Sequence, residues 1–380
     1  MIPYGKQDIS AADIAAVVEV LQSDFLTQGP KVPAFEQLIC EYTGAHHAVA
    51  VTNATAALHI ACLALGVGAG DSVWTSPITF LASANCALYC GATVDFVDVE
   101  PLTGNMSVHS LADKLAAAER AGKLPKVIIP VHLAGHSCDM QQIAQLARSY
   151  GVKIIEDASH GIGGSYHEWK LGSCHYSDIT VFSFHPVKII TTAEGGIATT
   201  NDAALAEKMR LFRSHGVVRD KNGLTRPDEG DWYYEQQLLG FNYRMTELQA
   251  ALGCSQMQRL DEFVSCRNQL AEKYQAQLLN LPLTLVEPAA GNYSARHLFI
   301  VRLPLGLRKT VFDKMRQFDI QVHVHYFPIH LQPFYQELGF KIGDYPAAEQ
   351  FYEEILTLPL FPSLTDDDIC YISSSLRSLL

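Results

Sequence analysis

The chain has 380 residues, 48% of them apolar and 18% charged, with a formal net charge of −12. At roughly 100–200 residues per domain this is room for two or three domains, or one large and one small. The acidic balance argues against nucleic acid as a partner, and no apolar run approaches the ~20 residues of a membrane span.

In chain order, residues 48–51 read as a buried strand and 55–65 as a helix. Residues 72–75, 93–97, 126–131, 153–156 and 179–183 read as further short strands, with helical patterns between several of them, as at 110–121 and 140–150. Short strands apolar on both sides and separated by helices predict an α/β fold: a mostly parallel central sheet with helices on both faces. Ligands in such sheets sit at the carboxyl ends of the strands. Residues 246–279 read as one helical stretch, and a boundary is expected near 250–260. It would divide a large domain (1–250) from a smaller C-terminal α+β domain (251–380). That second part carries strand-like runs at 297–303 and 322–325 and a closing helix at 366–379. The segment holding Lys208, Arg210, Arg213, Arg219, Lys221 and Arg226 is either a solvated helix face with its loop or a positive patch for a phosphorylated substrate.

The opening Met1-Ile2-Pro3-Tyr4-Gly5-Lys6 lacks the basic-then-apolar order of a secretory signal. The nine cysteines are scattered, with no CxxC pair; only Cys86 and Cys90 lie four apart. Reduced thiols and a cytoplasmic location are expected, with no metal or disulfide role.

The most informative segment runs from Ser183 to Gly196. It places Lys188 among apolar neighbours, after a strand and before the paired glycines Gly195 and Gly196. An amine in an apolar pocket loses part of its protonation and becomes a nucleophile toward aldehydes, which is what holding pyridoxal phosphate as a Schiff base demands. An ordinary lysine at a strand end fits that segment equally well. Asn53, Ala54 and Thr55 open a helix after a strand: a simple cap, or an anion site. Asp157 ends a strand, where it caps a turn or pairs with a protonated pyridine nitrogen. Phe80 follows another strand as a core residue or as a cover for a flat cofactor. His323 and His325 fall on one face of a strand, with His330 nearby, but the spacing is a weak zinc signal.

Taken together, these segments resemble the DegT/DnrJ/EryC1/StrS sugar aminotransferase family, which has the type I pyridoxal-phosphate fold. The resemblance is carried by Leu26-Thr27-Gln28-Gly29, Asn53-Ala54-Thr55-Ala56-Ala57-Leu58, Glu156-Asp157-Ala158-Ser159-His160 and Ser183-Phe184-His185 with Lys188 and Glu194-Gly195-Gly196. Arg213-Ser214-His215-Gly216, Gly240 to Met245 and His325-Tyr326 with Pro328 complete it, in this order and nearly end to end. It is strongest to the pseudaminic-acid branch, through the opening segment to Gly29 and through Thr191 to Gly196. Many relatives carry Gly at Ala193 and Gln at His160.

The resemblance implies Lys188 as the Schiff-base lysine, Asp157 at the pyridine nitrogen, Phe80 on the ring and His160 at the phenolic oxygen. Asn53, Ala54, Thr55 and Ser183 would hold the phosphate. Asn242 would reach the partner subunit's phosphate in a homodimer with composite sites. Tyr4, Asp24, Phe25, Leu26, Thr27, His323, Val324, His325, Tyr326 and Tyr335 would touch the nucleotide sugar. The implied activity moves the amino group of L-glutamate to C4 of a UDP-linked 4-keto-6-deoxy-N-acetylhexosamine. Alternatives are another C4 or C3 aminotransferase of the family, a pyridoxal-dependent sugar dehydratase (which resembles the family but with histidine at position 188), a non-catalytic sensor, or a metal hydrolase built on His132, His136, His323 and His325.

Overall fold

The computed structural model describes residues 1–380. All six runs expected as strands form: β1 (His47–Val51), β2 (Ser72–Thr75), β3 (Thr93–Phe96), β4 (Val127–Ile129), β5 (Lys153–Asp157) and β6 (Ile179–Ser183). A seventh, β7 (Gly196–Thr200), was not expected. The sheet order is β1-β7-β6-β5-β4-β2-β3, and β7 alone runs antiparallel to its neighbours. The central sheet is therefore mostly parallel. Its β7 is hard to read because it ends in two threonines. Both are fully buried, and each hydroxyl is satisfied: Thr199 donates to the Gly172 carbonyl (2.8 Å) and Thr200 to the Asp178 carbonyl (2.7 Å).

Strand alternation divides the apolar residues between two cores. Ala48, Ala50, Trp74, Ile128, Ile154, Phe182 and Ile197 enter one. It is closed by helices that include α2 (Lys31–Thr43), α5 (Val108–Ala121) and α6 (Met140–Ser149). Val49, Val51, Val73, Val127, Ile129, Ile155, Val181 and Ala198 enter the other, under α3 (Ala54–Ala64), α4 (Ala82–Tyr89) and α7 (Ala203–Arg213). This is the type I pyridoxal-phosphate fold. Its parallel strands deliver their carboxyl ends, and β7 its first residue, to one edge, so Asn53, Asp157, Ser183 and Gly196 lie together there.

Beyond it lies a three-stranded antiparallel sheet, β8 (Thr284–Leu285), β9 (Phe299–Arg302) and β10 (Ile355–Leu358). It shares a third core with α9 (Leu260–Leu278), α10 (Arg308–Gln317) and α11 (Asp366–Arg377). β9 again alternates. Phe299 and Val301 face this core, whereas Leu298 and Ile300 join Ile78, Val99 and Leu133 in the seam against the large sheet. Ile329 and Tyr335 return to the second core, and Ile2 packs on the third.

Two sequence expectations need correction. The stretch 246–279 is two helices, α8 (Glu247–Met257) and α9, broken at Gln258–Arg259 with no glycine or proline at the break. The cause is long-range. Arg259 donates to the Asp8 carboxylate (2.6 Å) and the Asp13 carboxylate (2.7 Å), while the Gln256 amide donates to the same Asp13 (2.8 Å). These bonds turn the chain toward α1 (Ala11–Leu21). Residues 322–325 do not form a strand. The chain there passes between the N-terminal segment, pairing Ile320 with Ile2, and β10, pairing His323 with Thr357, and matches each for only one bridge.

The basic segment dissolves largely into ion pairs. Arg213 binds Glu36 (2.5 Å), Lys221 meets Asp231 (3.2 Å), Arg210 meets Glu207 (3.6 Å), and Arg219 lies over the Tyr234 ring (5.0 Å). A phosphate-attracting patch is not what the fold makes of it.

Candidate active site

Lys188 lies in the loop between β6 and β7. That loop is held by backbone bonds from Phe184 N–H to Gly195 (2.9 Å) and from Thr192 N–H to Phe184 (3.0 Å). Phe184 is itself buried against Phe35, ring centroids 5.1 Å apart. Ala193 sits at φ 66°, a region that favours glycine. The loop sends the Lys188 side chain inward. Burial pushes its amine down to about 8, opposed by the charge of Asp157. The amine nitrogen is 3.4 Å from His297 Nε2.

Asp157 ends β5 and is buried. The Ser83 hydroxyl donates to one carboxylate oxygen (2.6 Å) and the Ser159 N–H to the other (3.1 Å). Two donors leave lone pairs free for a third, such as a pyridinium N–H. Thr79 joins Ser83 at 2.8 Å, so the start of α4 orients the carboxylate.

Three histidines surround the amine. His160, His297 and His325 are all buried, and burial followed by neighbouring positive charge holds each well below the usual imidazole range. His325 feels His323 before Lys188; for the other two, Lys188 is the leading neighbour. The Tyr326 hydroxyl meets His160 Nε2 at 3.0 Å. Burial keeps that phenol a donor by raising its pKa, so we assign the His160 proton to Nδ1. That Nδ1 is buried with no partner. A buried orphan donor on a neutral ring suits a phenolic oxygen.

At the same edge, Asn53 caps α3 through its side-chain oxygen, which accepts from Ala56 N–H (2.8 Å). The cap reading of Asn53 is therefore correct. It leaves the N–H groups of Ala54 and Thr55 in the first helical turn, where an anion is favoured. A Cβ on Gly196 would lie 2.5 Å from Ala54 N, so glycine there lets β7 approach the helix start. Gly196→Ala is expected to cost about 1–3 kcal/mol of stability and to weaken uptake of pyridoxal phosphate, read by thermal melting and by titration of the absorbance. Ser183 is buried at the end of β6, its hydroxyl accepting from His185 N–H at 3.5 Å.

The other expected positions fall as follows. Phe80 is 59% exposed, its ring 6.4 Å from that of Tyr326. The Tyr4 ring lies 5.3 Å from His323 and 5.5 Å from His325. Val324 is half-buried between those two histidines, whose rings stack at 4.4 Å. Asp24, Phe25, Leu26 and Thr27 are exposed on a loop that bridges Thr246, and no hydrogen bond joins them to the Lys188 cluster. Asn242 is exposed. Tyr335 is only 1% exposed, packs in the second core, and donates its hydroxyl to Asn85 (2.6 Å).

The metal reading gains nothing. No group of three or more His, Cys, Asp or Glu side chains is placed to hold an ion. His132 binds Glu156 (2.8 Å), His136 meets Ser294 (2.7 Å), His325 meets Thr357 (2.9 Å) and His330 binds Glu349 (2.9 Å). Sequence reasoning missed His297 and Ser83.

An inward-facing amine of depressed basicity beside a held carboxylate, next to a helix start that glycine leaves open, suits a pyridoxal-phosphate aminotransferase. The chain belongs to the DegT/DnrJ/EryC1/StrS aminotransferase family, which it matches over residues 7–377. It is 37% identical to the spore coat polysaccharide biosynthesis protein SpsC of Bacillus subtilis (strain 168), covering 100% of this chain and 97% of that protein. It is 34% identical to the UDP-4-amino-4,6-dideoxy-N-acetyl-beta-L-altrosamine transaminase of Campylobacter jejuni subsp. jejuni serotype O:2, covering 100% and 98%. Among solved structures, it superposes on Spr1654 of Streptococcus pneumoniae, in a PMP form, with a TM-score of 0.92, 30% identity and coverage of 100% and 99%. It is a sugar aminotransferase, and its cofactor is pyridoxal 5′-phosphate.

Proposed function

We propose that this enzyme transfers the amino group of L-glutamate to C4 of a UDP-linked 4-keto-6-deoxy-N-acetylhexosamine, the amination of pseudaminic acid biosynthesis. One observation carries the reading: the amine of half-buried Lys188, pushed down to about 8 by its surroundings, shares a site with the held carboxylate of Asp157. The resemblance to the altrosamine transaminase supports the sugar.

When bound, the cofactor supplies an electron sink that stabilises the carbanion of the amino acid or sugar. Lys188 would hold it at rest and Asp157 would pair its ring nitrogen. Asn53, Ala54, Thr55 and Ser183 would bind its phosphate, His160 its phenolic oxygen, and Phe80 its face. Freed by the donor, the Lys188 amine takes the α-proton of glutamate. In the second half-reaction it delivers a proton to C4 of the sugar. Tyr4, His323, Val324, His325, Tyr326 and the loop of Asp24, Phe25, Leu26 and Thr27 would meet the nucleotide sugar.

A homodimer with composite sites completes the reading. It is supported by exposed Asn242 and, in the preceding stretch of chain, exposed Trp232, Tyr234 and Leu239, apolar surface of the kind that interfaces cover. Nine unpaired cysteines support a cytoplasmic setting.

The test offers purified enzyme a panel of nucleotide-linked 4-keto and 3-keto sugars with glutamate and reads each product by NMR. The expected result is an axial or equatorial amine at C4 of the UDP sugar, with turnover at least about tenfold above the other members of the panel. Preference for a different nucleotide or for C3 would instead favour the second reading, another sugar aminotransferase of the family. The 37% identity to SpsC is the observation behind that reading.

A further inference from the structure

Lys188 has four rotatable side-chain bonds and, in the reaction proposed above, must be released and recaptured in every cycle. While released it must stay within reach of the reacting carbon and must not be drawn away to water. The only side chain within hydrogen-bond distance of its amine is His297, Nε2 at 3.4 Å.

His297 is built to stay put. It precedes β9 and is 5% exposed. Its ring packs on His160 with centroids 4.4 Å apart. Its backbone is held by Arg267, a guanidinium 1% exposed with no carboxylate partner. One Arg267 nitrogen donates to the carbonyls of Arg296 (3.3 Å), His297 (3.3 Å) and Leu360 (2.9 Å). Through that one nitrogen the buried cation fixes the chain at 296–297, and it places positive charge beside the imidazole, while its Nε is left without a partner.

The groups facing His297 are Lys188 from the β6–β7 loop, His160 from beyond β5, Arg267 from α9 and His325 from the segment beside β10. Asp157 acts on Lys188 and Tyr326 on His160. Positive neighbours and burial both keep the His297 ring neutral. A neutral ring that accepts at Nε2 carries its proton on Nδ1, and that atom is indeed buried without a partner.

We propose that His297 is a positioning residue for Lys188: a fixed, neutral hydrogen-bond acceptor that holds the lysine amine inside the site whenever it is not bonded to cofactor, with Arg267 acting through it. The proposal rests on Lys188 being the cofactor's lysine.

It is tested on apoenzyme, by the rate of pyridoxal phosphate uptake against pH, followed by absorbance. Appearance of the band in the wild-type protein and its loss in Lys188→Ala test the parent reading. The position of the midpoint tests His297. For the wild-type protein that midpoint is expected near 8. His297→Phe removes an acceptor that favours the protonated amine, so its midpoint is expected to fall by about one unit. His297→Gln, whose amide oxygen can reach where Nε2 was, should return it to within about 0.3 unit. In turnover, His297→Phe should lower kcat about tenfold with the KM for glutamate unchanged. His297→Asn, too short to reach the amine, replaces the phenylalanine variant if that one does not fold. An unmoved midpoint, an upward shift (the mark of an imidazolium), or a glutamine variant no better than phenylalanine would overturn the proposal while leaving Lys188's role intact.

Discussion

Lys188→Ala is expected to lower steady-state turnover with glutamate and keto sugar by at least about a thousandfold. Two separate losses combine. The first is the covalent hold on the cofactor. The second is the only amine placed to carry a proton between substrate carbon and cofactor. Its neighbours offer no replacement: His160, His297 and His325 are buried and held well below the usual imidazole range, so none is a comparable base. The folded protein should survive the change. Burying an ammonium opposes folding, so removing it should hold or raise stability below pH 8. The sign follows from linkage. The unfolded lysine keeps its proton to 10.5 and the folded one only to about 8, so the wild-type apoenzyme gains stability as pH rises between those values. Lys188→Ala should flatten that rise. Turnover by stopped assay and melting temperature against pH check the two halves of the prediction.

The second large effect is expected at Asp157. Asp157→Asn should lower the rate of each half-reaction about 100- to 1000-fold, because a neutral amide cannot keep a pyridine nitrogen protonated and the electron sink weakens. Cofactor uptake should persist, since Lys188 and the α3 start are untouched. The Ser83 hydroxyl and Ser159 N–H, which now donate to the carboxylate at 2.6 and 3.1 Å, would still find an amide oxygen for one of the two bonds. Stopped-flow absorbance with glutamate alone separates this from a binding defect: the rate constant should fall while the concentration dependence is kept. Full activity in Asp157→Asn would contradict the role given to the carboxylate.

Much of this was legible in the chain because the large sheet is covered on both faces. Residues such as Val49, Ala50 and Val51 are all apolar, whichever core they enter, and such short runs stand out between helices. Lys188 and Asp157 stood out as a lysine among apolar residues and an aspartate ending a buried strand, but each also fitted a plain structural part, and it was the resemblance that chose between the two readings. The misses share a different cause. The break at Gln258–Arg259 is written in Asp8 and Asp13, some 250 residues away, rather than in any local breaker. His297 lies 109 residues from the lysine it touches, and its one local sign was a polar ring opening an apolar strand. Ser83 looks like any small residue in a first helical turn until Asp157 arrives beside it. Tyr335, named through the resemblance as a sugar contact, is enclosed by Phe96 and Phe340, with ring centroids at 5.9 and 6.5 Å, a surrounding no local pattern announces.

The most direct measurement treats the purified protein with pyridoxal phosphate, reduces the complex with borohydride, and locates the phosphopyridoxyl group by peptide mass spectrometry. The account predicts the label on the peptide containing Lys188, and its disappearance after prior incubation with L-glutamate. A label on any other lysine, or no label from a protein that still transfers amines, would contradict it.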